Sequence, residues 1–252
     1  MAPQGPIQHV VVIFKENHTF DNYFGTLPGA NGAAMAHSPN PPTHDPDHRH
    51  KAWLNRAPGA VREQFLESDI PAYFAYARQF VLCDNYFTDV AGPSTPNHLM
   101  LLTADSPVID NPSGNPVYDV PSVPANLDAA GLTWGNYGGY AFAYIKALAG
   151  QPQQSSDQFA KNAAGGTLPA VSWVYAPQAF SEHKFKALHL AERLPLLCDF
   201  VLLCNFIFSA GARRTSGESR ALFHKFCEFT ILLRNFLMHF RIPSPLKMDS
   251  GK

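Results

Sequence analysis

Ile7-Gln8-His9-Val10-Val11-Val12-Ile13-Phe14, followed by Lys15-Glu16-Asn17, is the stretch that decides the fold. The run is β-branched almost throughout and lacks the apolar-polar alternation of a strand with one wet face. Such a strand belongs in the middle of a parallel sheet, covered by helices on both sides. In sheets of that kind ligands bind beyond the carboxyl ends of the strands, and Glu16 and Asn17 stand at that end. One carboxylate and one amide oxygen are hard donors suited to a divalent cation such as Mg²⁺, Ca²⁺ or Mn²⁺. The same dipeptide also reads more simply, as the end of a strand with Asp21 capping the next helix.

Outward from this strand, a polar Gly/Pro-rich stretch runs from Gly25 to about Gly59 and contains His37, His44, His48 and His50. It is too long for a simple connection and reads as a functional surface loop. Ser68-Asp69-Ile70-Pro71 marks a helix start, and a helix over Pro71–Phe80 puts Tyr73, Ala77 and Phe80 at core spacing. Phe80-Val81-Leu82-Cys83-Asp84 reads as the next strand or its approach. Gly92-Pro93-Ser94-Thr95-Pro96-Asn97-His98 turns into a helix over Asn97–Ala104, residues 105–120 form a loop, and Val123–Ala130 forms a short helix. Leu132–Tyr137 and Leu168–Tyr175 are further strands. Strands alternating with helices predict an α/β fold with a largely parallel sheet.

Ser94 stands where a turn enters a helix. A hydroxyl there faces the positive end of the helix dipole and its backbone N–H groups, a setting that favours phosphate. A cation on the same oxygen would make it a nucleophile. The competing reading is structural, with Thr95 as an N-cap and Pro96 at the first helical position. The segment Thr43-His44-Asp45-Pro46-Asp47-His48-Arg49-His50 offers metal or phosphate ligands, or simply a solvated loop, and its spacings match no structural zinc site.

Composition narrows the classes. Apolar residues make up 46% and charged residues 15% of the 252 residues, which is a globular rather than a disordered balance. The net charge of -1 gives no reason to expect nucleic acid as a partner. Cys83, Cys198, Cys204 and Cys227 show no C-x-x-C spacing, so no disulfide framework or zinc knuckle is indicated. Met-Ala-Pro-Gln-Gly-Pro lacks a basic n-region, so no signal peptide is read at this end. The apolar run Leu194–Ser209 is broken by Pro195, Asp199 and Asn205 and is too short for a transmembrane segment.

Several of these weak signals recur together in one order. The run from His9 to Gly25, containing Glu16-Asn17-His18-Thr19-Phe20-Asp21, resembles the opening of the bacterial phospholipase C / acid phosphatase phosphoesterase family. So do His44–His48, Ala77–Asp84, Gly92–Leu99, Gly166–Trp173 and Ser181-Glu182-His183, which together span about residues 6–183. The resemblance implies an alkaline-phosphatase-like α/β/α sandwich and hydrolysis of phosphate mono- or diesters, from phospholipids or small phosphate esters. It implies a divalent metal ion (Ca²⁺, Mg²⁺, Mn²⁺ or Zn²⁺) held by Glu16, Asn17 and Ser94, with Ser94 also the nucleophile. It further implies that Asn97, His48 and His183 contact the phosphoryl group, His48 as part of the catalytic set. Relatives of this kind are commonly secreted or periplasmic. His18-Thr19 stands where many of them carry Arg-Ser.

Past His183 the character changes, which predicts two regions: a phosphoesterase-like domain over 1–183 and an atypical tail over 184–252. Residues 1–183 carry 8 Lys/Arg against 15 Asp/Glu, while 184–252 carry 11 against 5. All three Trp and all nine Tyr precede His183. The tail has poor helical periodicity and no strand-turn grammar, as a frame-shifted or fused segment would. The family completes its metal site with adjacent acidic residues ahead of Gly-Gly on a later strand, whereas the tail's only aspartates, Asp199 and Asp249, stand apart. A cation left with Glu16, Asn17 and Ser94 would be held weakly. Two functions follow as expectations: a metal-dependent phosphoesterase, or an inactive truncated homologue with an incomplete sheet and site. A serine esterase is disfavoured, because no Gly-x-Ser-x-Gly surrounds Ser94.

Overall fold

The β-branched run forms a strand, as its pattern predicts, and the rest of the domain is arranged around it. The computed structural model describes residues 7–42, 46–56 and 63–177. In chain order its elements are β1 (Val10–Phe14), α1 (Phe20–Phe24), β2 (Ala36–His37), α2 (His50–Leu54), β3 (Glu63–Gln64), α3 (Pro71–Gln79), α4 (Ser94–Thr103), α5 (Val123–Ala129), β4 (Trp134–Tyr137), a 3-10 turn (Tyr140–Tyr144), α6 (Ser156–Ala164) and β5 (Val171–Tyr175). His183, His44 and the tail 184–252 lie outside the described residues.

Three strands pair in the order β1-β5-β4, all parallel, and β2 and β3 make a separate parallel pair. Val10 lies opposite Val171 and Phe14 opposite Tyr175, while Tyr137 lies opposite Val174. Parallel pairing therefore brings the ends of β1, β4 and β5 out along one edge. The segments that follow the strands gather there, bringing Glu16, Gly138 and Ala176 together.

The strands sort their side chains to two covered faces, which is why the sequence is apolar without alternation. Phe14, Trp173 and Tyr175 join Leu99 and Leu102 of α4 and Phe142 of the 3-10 turn in one core. Val11, Ile13, Tyr137 and Val174 join Phe159 of α6 in another, on the opposite face. Successive side chains of a strand point to opposite sides, so Ile13 and Phe14 serve different cores. The result is a mixed α/β fold with a parallel sheet. A third cluster packs α1 against α3 through Tyr23, Phe24, Tyr73 and Phe74.

Three expectations need correction. Phe80–Asp84 is not a strand: Phe80 and Val81 are 64% and 74% exposed, and the side chains that follow turn to another loop. Asp84 Oδ2 accepts from Asn31 N at 2.8 Å and Asn85 Oδ1 from Asn31 Nδ2 at 2.8 Å, so this segment is tied to a loop and not to a sheet edge. Phe80 itself lies past the end of α3, outside the core its spacing suggested. The Ser94 helix also begins three residues earlier than Asn97. Pro93, not Thr95, is its N-cap, and Pro96 is accommodated inside the first turn, where its missing N–H has no partner to lose.

The turn after β4 is closely built. Gly139 N donates to Asn136 Oδ1 at 2.7 Å and Asn136 Nδ2 donates to Gly139 O at 2.8 Å, with Asn136 buried. A Cβ on Gly139 would meet Tyr175 Cε2 at 2.5 Å and Asn136 Oδ1 at 2.6 Å. Gly139→Ala is therefore expected to destabilise the domain by about 1–3 kcal/mol, the usual cost of overpacking, measured by denaturant unfolding.

Candidate active site

Glu16 and Ser94 are 78 residues apart in sequence and meet at the carboxyl edge of the sheet. Ser94, the first residue of α4, donates from Oγ to Glu16 Oε2 at 2.6 Å. One helical turn later on the same face, His98 places Nε2 at 2.9 Å from Glu16 Oε1. Both carboxylate oxygens of Glu16 are thus held by one helix. His98 has a side-chain exposure of 0% against 21% for Glu16. Its ring sits among Phe14, Tyr140 and Tyr175, at centroid distances of 5.5, 5.4 and 5.2 Å. An apolar surround of this kind strengthens the hydrogen bonds it encloses.

Asn17 follows with φ of 75°, in the left-handed region that non-glycine residues rarely enter and that asparagine tolerates best. This conformation turns the chain between the end of β1 at Phe14 and the start of α1 at Phe20. Glycine accepts the same φ without steric cost. Asn17→Gly is therefore expected to hold stability within about 1 kcal/mol while weakening Mn²⁺ binding about tenfold, if the amide oxygen is a ligand. Calorimetric titration with Mn²⁺ checks this, and unchanged affinity would leave Asn17 with the turn alone.

The other sequence-predicted residues are placed differently. Asn97 is buried, and its amide closes the loop that precedes Ser94. Its Oδ1 accepts from Val90 N at 3.2 Å, and its Nδ2 donates to Val90 O at 2.9 Å and Pro93 O at 3.1 Å. His48 is half-buried and lies outside the walls of the cavity described below. His50 of the same loop reaches the Ser94 turn, with its Nδ1 2.6 Å from Ala91 O. The helix start offers fewer free donors than its sequence suggests, since Thr95 N donates to Asn111 Oδ1 at 3.0 Å.

Glu16, Asn17 and Ser94 line one cavity of about 680 Å³, with Tyr140, Gln154 and Tyr175 among its other walls. These oxygen donors fit part of a hard divalent-cation site. They bring one formal negative charge, and among the described residues no group of three His, Cys, Asp or Glu could hold a metal ion. Of the residues gathered at this edge, Glu16, Asn17 and Ser94 stand out in the sequence as candidates and His98 does not. The available signal was its spacing, four residues after a candidate nucleophile and so on the same helical face.

Fold and site together define a parallel α/β protein whose helix-start serine bonds a strand-end carboxylate. The chain belongs to the phosphoesterase family, whose model matches residues 7–48 and 43–194. It is 27% identical over 249 residues to the non-hemolytic phospholipase C of Pseudomonas aeruginosa, a match covering 70% of this chain and 36% of that protein. It is 25% identical over 271 residues to the non-hemolytic phospholipase C of Burkholderia pseudomallei, covering 70% and 38%. The match to phospholipase C B of Mycobacterium tuberculosis is 25% over 266 residues, covering 70% and 51%. The chain thus spans about half or less of the length of these bacterial relatives. No helix among the described residues is long and apolar enough to cross a membrane.

Proposed function

We propose that this chain is a metal-dependent phosphoric ester hydrolase, phospholipase C-like or acid phosphatase-like, with Ser94 as its nucleophile. The observation that carries the reading is the 2.6 Å hydrogen bond from Ser94 Oγ to Glu16 Oε2, on the wall of a cavity at the carboxyl edge of the sheet. Ser94 Oγ would form a bond to phosphorus while the ester P–O bond to the leaving alcohol breaks. The Ser94 proton already faces an acceptor, Glu16 Oε2, and His98 fixes the orientation of that carboxylate. Water then hydrolyses the phosphoserine, releasing phosphate or a phosphomonoester and restoring Ser94. Glu16, Asn17 and Ser94 are the residues that would hold the divalent ion. When bound, the ion supplies positive charge against the phosphoryl oxygens and lowers the pKa of a hydroxyl. The names of the relatives support a phospholipid or a smaller phosphate ester as substrate.

A second reading, an inactive half-site, is supported by the single carboxylate among the described residues that line the cavity. A frame-shifted tail over 184–252 belongs with this reading, although the family match runs to residue 194, past His183. Translating the other two frames of the coding DNA beyond the codon for His183 tests the tail. Recovery of paired aspartates followed by Gly-Gly supports the frameshift, and their absence from both frames removes it. Activity is tested with an aryl phosphate and a phospholipid. The hydrolase reading expects turnover that EDTA abolishes and an added divalent ion restores, whereas no turnover with any divalent ion would sink it for this chain.

A further inference from the structure

The turn after β4 is built around one residue that the chemistry above does not use. Gly138 takes φ of 94°, a conformation that L side chains rarely adopt. Gly139 lies directly on the Tyr175 ring, and the buried Asn136 clamps it with two hydrogen bonds. The residue delivered by this rigid turn is Tyr140. Its hydroxyl lies 3.3 Å from Thr95 Oγ1, in the first turn of the Ser94 helix. Tyr140 is 38% exposed and lines the cavity that Glu16 and Ser94 share.

The chemistry of the walls gives this placement its meaning. Among the described residues no Lys, Arg or His stands in the walls, and Glu16 is the one carboxylate. The donors that these walls offer an anionic ligand are neutral hydroxyls and amides. The Tyr140 phenol supplies one such neutral O–H donor. A second feature points the same way. Tyr175, on the same cavity, has a buried hydroxyl with no hydrogen-bond partner among the described residues. Leaving such a group unpaired is costly, and a binding site is one place where that cost is tolerated.

We propose that Tyr140 is a phosphoryl-binding residue, donating a hydrogen bond from its hydroxyl to an oxygen of the phosphoryl group held at Ser94. The proposal rests on the hydrolase reading above and adds a neutral donor to it. A hydroxyl donating to an anionic oxygen makes one of the stronger hydrogen bonds available to an uncharged side chain.

The test is calorimetric titration of the full chain with inorganic phosphate in the presence of Mn²⁺, with thermal unfolding run on each variant. Tyr140→Phe removes one oxygen from a partly exposed residue and is expected to unfold at the parent's temperature. It should bind phosphate about tenfold more weakly or worse, the usual loss for a hydrogen bond to a charged group. Tyr144→Phe, on the same turn but outside the cavity walls, is expected to bind phosphate like the parent. Parent-like binding by Tyr140→Phe overturns the proposal and leaves the hydrolase reading standing. Equal weakening in both variants also overturns it, because the turn's packing and not the Tyr140 hydroxyl would then be responsible. A folded parent that binds no phosphate overturns both readings.

Discussion

Ser94→Ala is expected to reduce aryl phosphate turnover by about 10,000-fold or more, the scale on which removal of a hydroxyl nucleophile acts. A loss of that size corresponds to about 5.4 kcal/mol of barrier. The hydrogen bond lost with the hydroxyl is worth at most about 3 kcal/mol, even to a charged acceptor. Glu16 is partly exposed, so water can replace the missing donor and reduce the cost to stability further. The two quantities therefore separate the two readings of Ser94. If it is only the first residue of a helix, the variant loses some stability and turns over substrate within a few-fold of the parent. If it is the nucleophile, the folded variant is inactive at a temperature where both proteins are native. Circular dichroism fixes that temperature, and release of the aryl alcohol gives the rate. A phosphoserine trapped by acid quench in the parent and absent from Ser94→Ala would locate the covalent step.

The parts of this structure that local pattern controls were legible in the sequence. The β-branched run around Val11 and Ile13 announces a buried parallel strand, because both of its faces must be apolar. That strand in turn says where Glu16 and Asn17 emerge. The short helix after Ser122 and the strands ending at Tyr137 and Tyr175 were also readable, to within a few residues at their ends. What escaped reading depends on partners far away in sequence. Phe80–Asp84 has strand composition, yet a strand needs a neighbour, and Asn31 occupies the polar side chains that follow it. Asn97 also turns its amide back to Val90 and Pro93, a local loop closure that residue type alone does not announce. The Thr95 N–H looks free until Asn111, 16 residues further on, is seen to accept from it. His98 is the strongest case. Its significance lies in a box made by Phe14, Tyr140 and Tyr175, residues that no periodicity connects to it.

That box makes His98→Ala the second large effect. The substitution removes a fully buried ring and leaves a void among three aromatics, and it removes the hydrogen bond from His98 Nε2 to Glu16 Oε1. Void and lost bond together are expected to cost about 2–4 kcal/mol of stability. A stability loss alone would say only that His98 is core, so a second measurement is needed. Glu16 can bind a cation well only if its carboxylate is already oriented, and supporting hydrogen bonds of this kind commonly change metal affinity by about 10- to 100-fold. His98→Ala should therefore bind Mn²⁺ about tenfold or more weakly at a temperature where the variant is fully folded. His98→Gln keeps a nitrogen donor at nearly the reach of Nε2 without restoring the aromatic packing. It is expected to recover most of the Mn²⁺ affinity while staying well below the parent in stability. Separation of the two properties identifies His98 as the residue that positions Glu16. If affinity instead tracks stability through both variants, His98 is a packing residue, and the orientation of Glu16 does not depend on it.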